Sequence, residues 1–407
     1  MASSFTWLDY SESERRAMLD VIDLFKEQDT RDELGLAPIR DALSDRFFPG
    51  TIVPQTRARY YLFVPWIYRR LEEKRVAASE IARKARVAEG DLIEVLKRLD
   101  ETGVIGRQSG VNIRRLPSNT YWPGLVRWGI FLGDMMQDQY HTQLDALYER
   151  RRVRPTNDDK EVVGGTGGLL TWDPEIPTAP TGFPESVDFR LPRKEARYLQ
   201  GRIEMSVPQS LLAWFVGHGR SADRLDELGY AWDFGRTQEL RPDLHSDLDQ
   251  ARCFSEAMEG AALLYNLLLC REAGRDDGAD KYVQASLEWI DRLRSRRAAL
   301  AAWNPAGFWP LVEGQGHRIP ARARLFVERW VAWLAASGWN PASLDAPTPS
   351  TLVRDREIEM KGTQSRFQNA RLREIWGGEA GVGAMGFRWR IARGILADIL
   401  DGLEGAD

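Results

Sequence analysis

The chain has 407 residues and a formal net charge of −4, with 43% hydrophobic and 29% charged residues. That balance is globular, the length suits about two or three domains, and no apolar run approaches the ~20 residues of a membrane span. Two cysteines, four scattered histidines without metal-ligand spacing and no export-like N-terminus point to a reduced, cytoplasmic chain without a disulfide framework, metal site or cofactor.

Residues 11 to 28 read as an amphipathic helix, with Met18, Leu19, Ile22, Leu24 and Phe25 along one face and Ser11 or Ser13 as cap. Asp9 just before it is either the cap or, if the segment folds back, a candidate catalytic acid. A second helix over 31 to 47 stops at Pro49-Gly50 and carries Asp41 and Asp45. A third runs from Gln55 to Glu73 with a kink expected near Val64, because Pro65 lies inside it. Residues 46 to 71, RFFPGTIVPQTRARYYLFVPWIYRRL, hold Arg46, Arg57, Arg59, Arg69 and Arg70 and not one acid. If 55 to 59 is extended, Arg57 and Arg59 share a face, one pairing with a core acid and the other holding a phosphate. Tyr60 and Tyr61 either stack on an extruded base or fill core.

Residues 77 to 104 look like two helices, the last ending near Leu99. A Gly turn, a short strand at Val104-Ile105, a tip from Gly106 to Gly110 and a second strand from Val111 to Leu116 then complete the outline of a winged-helix module. Residues 102 to 133 are acid-free and carry Arg107, Arg114, Arg115 and Arg127 with Asn112, Asn119, Tyr121 and Trp122. A wing would set Arg107, Gln108, Ser109 and Asn112 on a DNA backbone or groove; helix-plus-hairpin units that never touch DNA share the outline. An acidic protein that clears carboxylates from two aromatic, Arg-rich stretches points to an anionic partner, nucleic acid first.

Residues 151 to 190 hold most of the Gly/Pro punctuation and read as a loop-rich connection between an N-terminal helical and winged-helix-like region, 1 to 150, and a mainly helical domain, 191 to 407. GGTGG within the connection lacks the GKS/GKT ending of a phosphate loop. From 193 to 301 the pattern is helical, with Glu256, Glu259 and Asn266 in an apolar run as either a buried polar network or reserve candidates for catalysis. Segment 221 to 260, with ten acids against four arginines, is a solvated face. From 366 to 395 six arginines face two glutamates; Lys361, Arg366, Arg371 and Arg373 form a third candidate surface or a solvated helix flank. Glu359-Met360-Lys361 matches the Glu-x-Lys of metal-dependent nuclease cores, but on a helical pattern. The 15 tryptophans exceed the about five of average usage; most are expected as core, the remainder as stacking platforms. The expected fold is mainly α, with a winged-helix-like module and a few short strands.

The motifs FTWLDYSESERR, TRDELGLAPIRD, FFPGTIVPQTRARYYLFVPW, GVIGRQSG with RLPSNTYW, and FRWRIARGILADIL together resemble a prokaryotic family found in phage-defence loci. That family is taken to include anti-phage DNA glycosylases that excise glucosylated hydroxymethylcytosine. The resemblance covers most of the chain. The segment FPGTIVPQTRARYYLFVPWIYRRL is also similar in layout to part of the winged-helix alkylpurine DNA glycosylases, where a Gln-x-Asp or Gln-x-Gln pair places the attacking water. Gln55 matches the first position, but Arg57 stands at the third and cannot act as a base, so a carboxylate from elsewhere is required. The resemblance implies catalysis by Gln55 and Asp9, with Asp41 and Asp45 in reserve. It implies DNA contacts from Arg57, Arg59, Arg107, Arg114, Arg115 and the third basic stretch, and a base pocket of Tyr60, Asn119, Tyr121 and Trp122. The implied partner is double-stranded phage DNA with modified bases, bound by a monomer without a cofactor. A non-catalytic DNA-binding or adaptor protein and a metal-dependent nuclease are the alternatives.

Overall fold

The computed structural model describes residues 32–108, 110, 113–152, 170–185, 187–218, 225, 227–234 and 240–405. The helix expected at 11–28, GGTGG, Asp9, Ser109 and Asn112 lie outside the described residues. The protein is mainly helical; among the described residues the one β-pairing is an antiparallel bridge between Phe131 and Trp172. None of these helices is long and apolar enough to cross a membrane.

In chain order the helices are α1 (Ala37–Phe47), α2 (Tyr60–Glu73), α3 (Ala78–Arg98), α4 (Pro117–Arg127), α5 (Gln137–Arg152), α6 (Arg193–Ser206), α7 (Leu211–His218), α8 (Ala231–Phe234), α9 (Pro242–Glu272), α10 (Asp276–Ala302), α11 (Pro305–Glu313), α12 (Ala321–Ala336), α13 (Pro347–Lys361), α14 (Ala370–Glu374) and α15 (Trp389–Glu404). They form two compact units, each from two stretches of chain: Met1–Leu43 with Ser246–Met385, and Ser44–His245 with Gly386–Asp407.

The unit containing residues 44–245 is built around α2. Its sequence YYLFVPWIY is apolar or aromatic at every position, the pattern of a helix buried all round, and each residue from Tyr60 to Tyr68 is buried. Helix α2 packs on α3 and α4, and α5 packs on both of these. A second group is formed by α6, α7 and α15. In α15, Trp389, Ala392, Ile395, Leu396, Ile399 and Leu400 recur at three- and four-residue spacing and are buried.

In the other unit, α9 from Ser246 onward is the element around which tryptophans gather. Trp289 donates its indole N–H to Glu256 O at 2.8 Å, Trp330 to Ala257 O at 2.8 Å, and Trp303 to Gln250 Oε1 at 2.6 Å. Gly260 makes the close approach possible, since a Cβ there would lie 2.3 Å from the Trp289 ring. Every tryptophan among the described residues except Trp333 is buried. Among the described residues the surplus is therefore core filling, and Trp333 alone of these tryptophans keeps part of its surface exposed.

Three local expectations change. Residues 55–59 are irregular and turn, not the start of α2. Residues 78–98 form one helix, not two; Gly90 within it is buried. Val104-Ile105 lies in turns rather than a strand, and 113–116 is bend and coil. The reason is a competition for backbone groups. Thr56 Oγ1 donates to Gly103 O at 2.6 Å, Arg57 Nη1 to Thr102 O at 3.3 Å, and Ile105 N donates to Tyr60 Oη at 3.1 Å. Side chains thus take the groups that a strand would offer to a neighbour.

Candidate active site and nucleic-acid interface

The segment between Gln55 and Arg59 is shaped by side chains far away in sequence. Tyr121 Oη accepts from Thr56 N (2.9 Å) and Arg57 N (3.1 Å) and donates to Arg57 O (2.8 Å). Asp398 Oδ2, on α15, accepts from Ala58 N at 2.7 Å. With its backbone bound this way the segment stays non-helical, and α2 begins at Tyr60.

Arg57 and Asp398 form the centre of the site. Arg57 Nε lies 3.0 Å from both carboxylate oxygens, and Nη2 lies 2.9 Å from Oδ1. The guanidinium sits 4.9 Å over the Phe189 ring. Such fork geometry is the strong form of a charge-assisted pair. The Arg57 side chain is 25% exposed and Asp398 12%, so the pair reaches the surface. Burial pushes the Asp398 carboxyl above its usual range, against the pull of Arg57 and the Ala58 N–H. Burial also works against the Arg57 charge, but the hydrogen bond and charge of Asp398 outweigh it and raise its pKa.

Arg59 plays the other part expected of the pair. It is buried, with both forks on Glu195 at 2.8 Å and Nη1 on Asp188 Oδ1 at 3.1 Å. Burial lifts the Glu195 carboxyl despite Arg59. Gln55 is buried too. Its Oε1 accepts from Ile52 N (3.1 Å) and Tyr61 Oη (3.2 Å), and its Nε2 donates to Gly50 O (3.2 Å) and Thr120 O (3.4 Å). The single Tyr61 hydroxyl proton is shared with Gly50 O at 2.9 Å, and Gln55, 1% exposed, is closed off from bulk water. Tyr60, Tyr121 and Trp122 are 0% exposed and offer no ring face to a base. Asp45 pairs with Arg388 at 2.5 Å, and Asp41 lies 3.4 Å from Arg40.

Asn119 caps α4, accepting from Leu116 N at 2.9 Å and donating to Gln137 Oε1 at 2.7 Å. Gln137 Nε2 in turn donates to Ser118 Oγ (2.8 Å) and Tyr68 Oη (2.6 Å), and Tyr68 Oη meets His141 Nε2 at 2.9 Å. The network ends on Glu89, which accepts from Ser118 N (2.8 Å) and Oγ (2.7 Å). Glu89 is fully buried, and that burial pushes its carboxyl up to about 7. Burial lowers the pKa of His141.

Exposed cations gather on α3 and the turns after it. Arg86 Nη1 donates to Ile113 O at 3.0 Å, which brings α3 beside the exposed Arg114 and Arg115. Arg83 and Lys84 are exposed on the same helix, and Arg107 and Gln108 on the turns. Arg107 pairs with Asp100 and donates to Glu101 O at 2.6 Å.

The third basic stretch lies in the unit containing 246–385. Lys361 and Arg366 are largely buried there and pair with Glu33. Arg373 pairs with Glu272 at 3.1 Å and donates to Arg366 O at 2.8 Å; Arg371 is exposed. Glu359 and Lys361 sit on α13 rather than a strand, Glu359 pairing with Arg356 at 3.1 Å and Arg322 at 3.2 Å.

Asp398 is the functional candidate that sequence reasoning missed. The available signal was one acid in the apolar run ILADIL, three residues after Ile395 on the buried face of a helix. Its partner, however, is 341 residues away. No curated protein and no solved structure matches the chain. A family model described as a family of unknown function, DUF6361, matches residues 2–402, and the chain belongs to that family.

Proposed function

We propose that this protein is a DNA glycosylase, working as a cytoplasmic monomer, that removes glucosylated hydroxymethylcytosine from double-stranded phage DNA and leaves an abasic site. The observation that carries the reading is Asp398. It brings to the Gln55–Arg59 segment the carboxylate that the resemblance to base-excising enzymes requires and that Arg57 cannot be. In this reading α3 and the turns of 101–116 dock on the duplex as a winged-helix-like module, with Arg86, Arg107, Arg114 and Arg115 on phosphates.

Excision breaks the bond from C1′ to the base nitrogen, whose electron pair leaves with the base and takes up a proton. The sugar passes through an oxocarbenium-like state, water adds to C1′, and its proton moves to a base. Asp398, ionised beside Arg57, supplies negative charge toward C1′ and accepts that proton. Arg57 holds a flanking phosphate. A second reading, a DNA-binding protein without turnover, draws on the burial of Gln55, which is 1% exposed and closed off from bulk water.

The test is single-turnover incubation with plain, hydroxymethylated and glucosylated DNA, followed by alkali to reveal abasic sites. Excision is expected on glucosylated DNA and to persist in EDTA. Asp398→Asn should lower the rate by roughly 10²-fold, the scale for losing one electrostatic stabiliser, with DNA affinity kept. Binding without abasic sites favours the second reading, and metal-dependent strand cleavage overturns both.

A further inference from the structure

Exposed turns are usually tipped by Gly, Asn, Asp or Ser, which take turn conformations easily and are well hydrated. The turn just ahead of the Gln55–Arg59 segment is tipped by Val53 and Pro54 instead, both exposed, Val53 at 61%. A lone apolar side chain on a helix surface, such as Met205 on α6, is ordinary. Val53 differs in how its backbone is held. Gln55 N donates to Ile52 O at 3.0 Å and closes the turn. The Gln55 side chain, 1% exposed, fastens it from inside: Oε1 accepts from Ile52 N at 3.1 Å and Nε2 donates to Gly50 O at 3.2 Å. Arg388 Nη1 donates to Thr51 O at 2.7 Å. It does so from a left-handed backbone (φ 64°), which Phe387 before it shares (φ 46°). Non-glycine residues in that region are strained, and two in a row persist only where their surroundings hold them. The tip is itself stiff, since Val is β-branched and Pro has a fixed φ. Buried and strained groups thus hold two rigid apolar residues out in water.

The flanks of the tip are cationic. Residues 46 to 71 contain no acid. Arg57, four residues on, brings a side chain that is one-quarter exposed. Helix α15 runs along the segment: Arg388 reaches Thr51 O, a Cβ on Gly394 would lie 3.9 Å from Thr56 O, and Asp398 accepts from Ala58 N at 2.7 Å. Arg390 is exposed and precedes Gly394 by one turn on the same face, which puts a second cation on the side of α15 that meets this segment. A rigid apolar point between cations matches a duplex, with stacked bases inside and phosphates outside. An apolar pocket on another protein would match the tip but not the cations.

We propose that Val53 and Pro54 form a wedge that enters the base stack of duplex DNA beside the Arg57–Asp398 pair and unstacks the base presented there. Apolar side chains inserted at a base step part the stack and kink the duplex. A stiff tip suits this, because little rotamer freedom is lost on insertion. The proposal rests on the DNA-binding half of the reading above and holds with or without excision. Gln55 is then a positioning residue that acts through the tip and not on a water.

The experiment uses the full chain and a duplex carrying 2-aminopurine next to one glucosylated hydroxymethylcytosine. This fluorophore is quenched by stacking, so saturating wild-type protein should brighten it by about 3-fold or more as the step opens. Val53→Ser, at an exposed position, should keep the melting temperature and lose most of that rise. Its single-turnover excision should fall roughly 10-fold on paired duplex and return to within about 2-fold of wild type when the same base lies opposite an abasic-site analogue, where no pair has to be broken. Val53→Leu, which restores an apolar tip, should behave as wild type. A Val53-dependent rise without abasic sites removes excision and keeps the wedge. Abasic sites with an equal rise from wild type and Val53→Ser overturn the wedge alone. No rise with the wild type, or an equal loss by Val53→Ser on paired and unpaired substrates, also overturns it.

Discussion

At the scale of single residues, Glu89 shows most clearly what burial does to an ionisable group. Its carboxyl moves from an ordinary 4.5 up to about 7 because it is buried, with only Ser118 as a direct hydrogen-bond partner. The fold therefore favours the protonated form. That contribution is fully present below about pH 4.5 and is lost as pH rises through about 7, a change of roughly 3 kcal/mol. Glu89→Gln removes the titration while keeping the shape. Its stability relative to wild type should rise across pH 5 to 8, measured by urea unfolding at each pH. The contribution of His141 cancels in that difference, since both chains retain it. An unchanging difference would mean that Glu89 is ionised in the folded chain throughout the window, as it is in the unfolded one.

At the scale of elements, α4 and the segments it touches are set by a close approach. A Cβ on Gly124 would lie 2.5 Å from Gly50 O and 2.5 Å from Tyr61 Oη, which themselves hydrogen-bond at 2.9 Å. Alanine is the better helix former by about 1 kcal/mol, but overpacking costs about 1–3 kcal/mol. The crowding should win because one neighbour is backbone. Gly124→Ala is expected to destabilise by about 1–2 kcal/mol in thermal unfolding. Elements were legible in the sequence where periodicity decides them: α2, α9 and α15 announce themselves by their apolar spacing. Residues 55–59 and 102–105 were not, because Tyr121, Asp398, Thr56 and Tyr60 claim their backbone groups from a distance. The same limit applies to the site. Arg57 stood out in an acid-free segment, and Arg59 as a core partner was one of two readings, but neither Asp398 nor Glu195 could be assigned to them by spacing.

At the scale of the molecule, both compact units are discontinuous in sequence. Helix α15 packs on α6 and α7, and its Asp398 holds the turn that starts α2. A chain ended at Met385 should therefore lose far more than the helix removed. Limited proteolysis should cut within 44–245 faster than in the full chain, and far-UV circular dichroism should fall by more than the share of α15. Adding residues 386–407 as a separate peptide should restore protection.

The interleaving also imposes an order in time. A ribosome that has finished residue 245 must still make about 140 residues before α15 begins, roughly 7–30 s at about 5–20 residues per second. Until then α6 and α7 have no α15 to cover them, and Arg57 has no carboxylate opposite it. A nascent chain can display its basic surface during that interval, but the proposed chemistry switches on only when synthesis has passed through both units. An interrupted message would then yield a fragment without Asp398, and so without the carboxylate that the proposed reading requires.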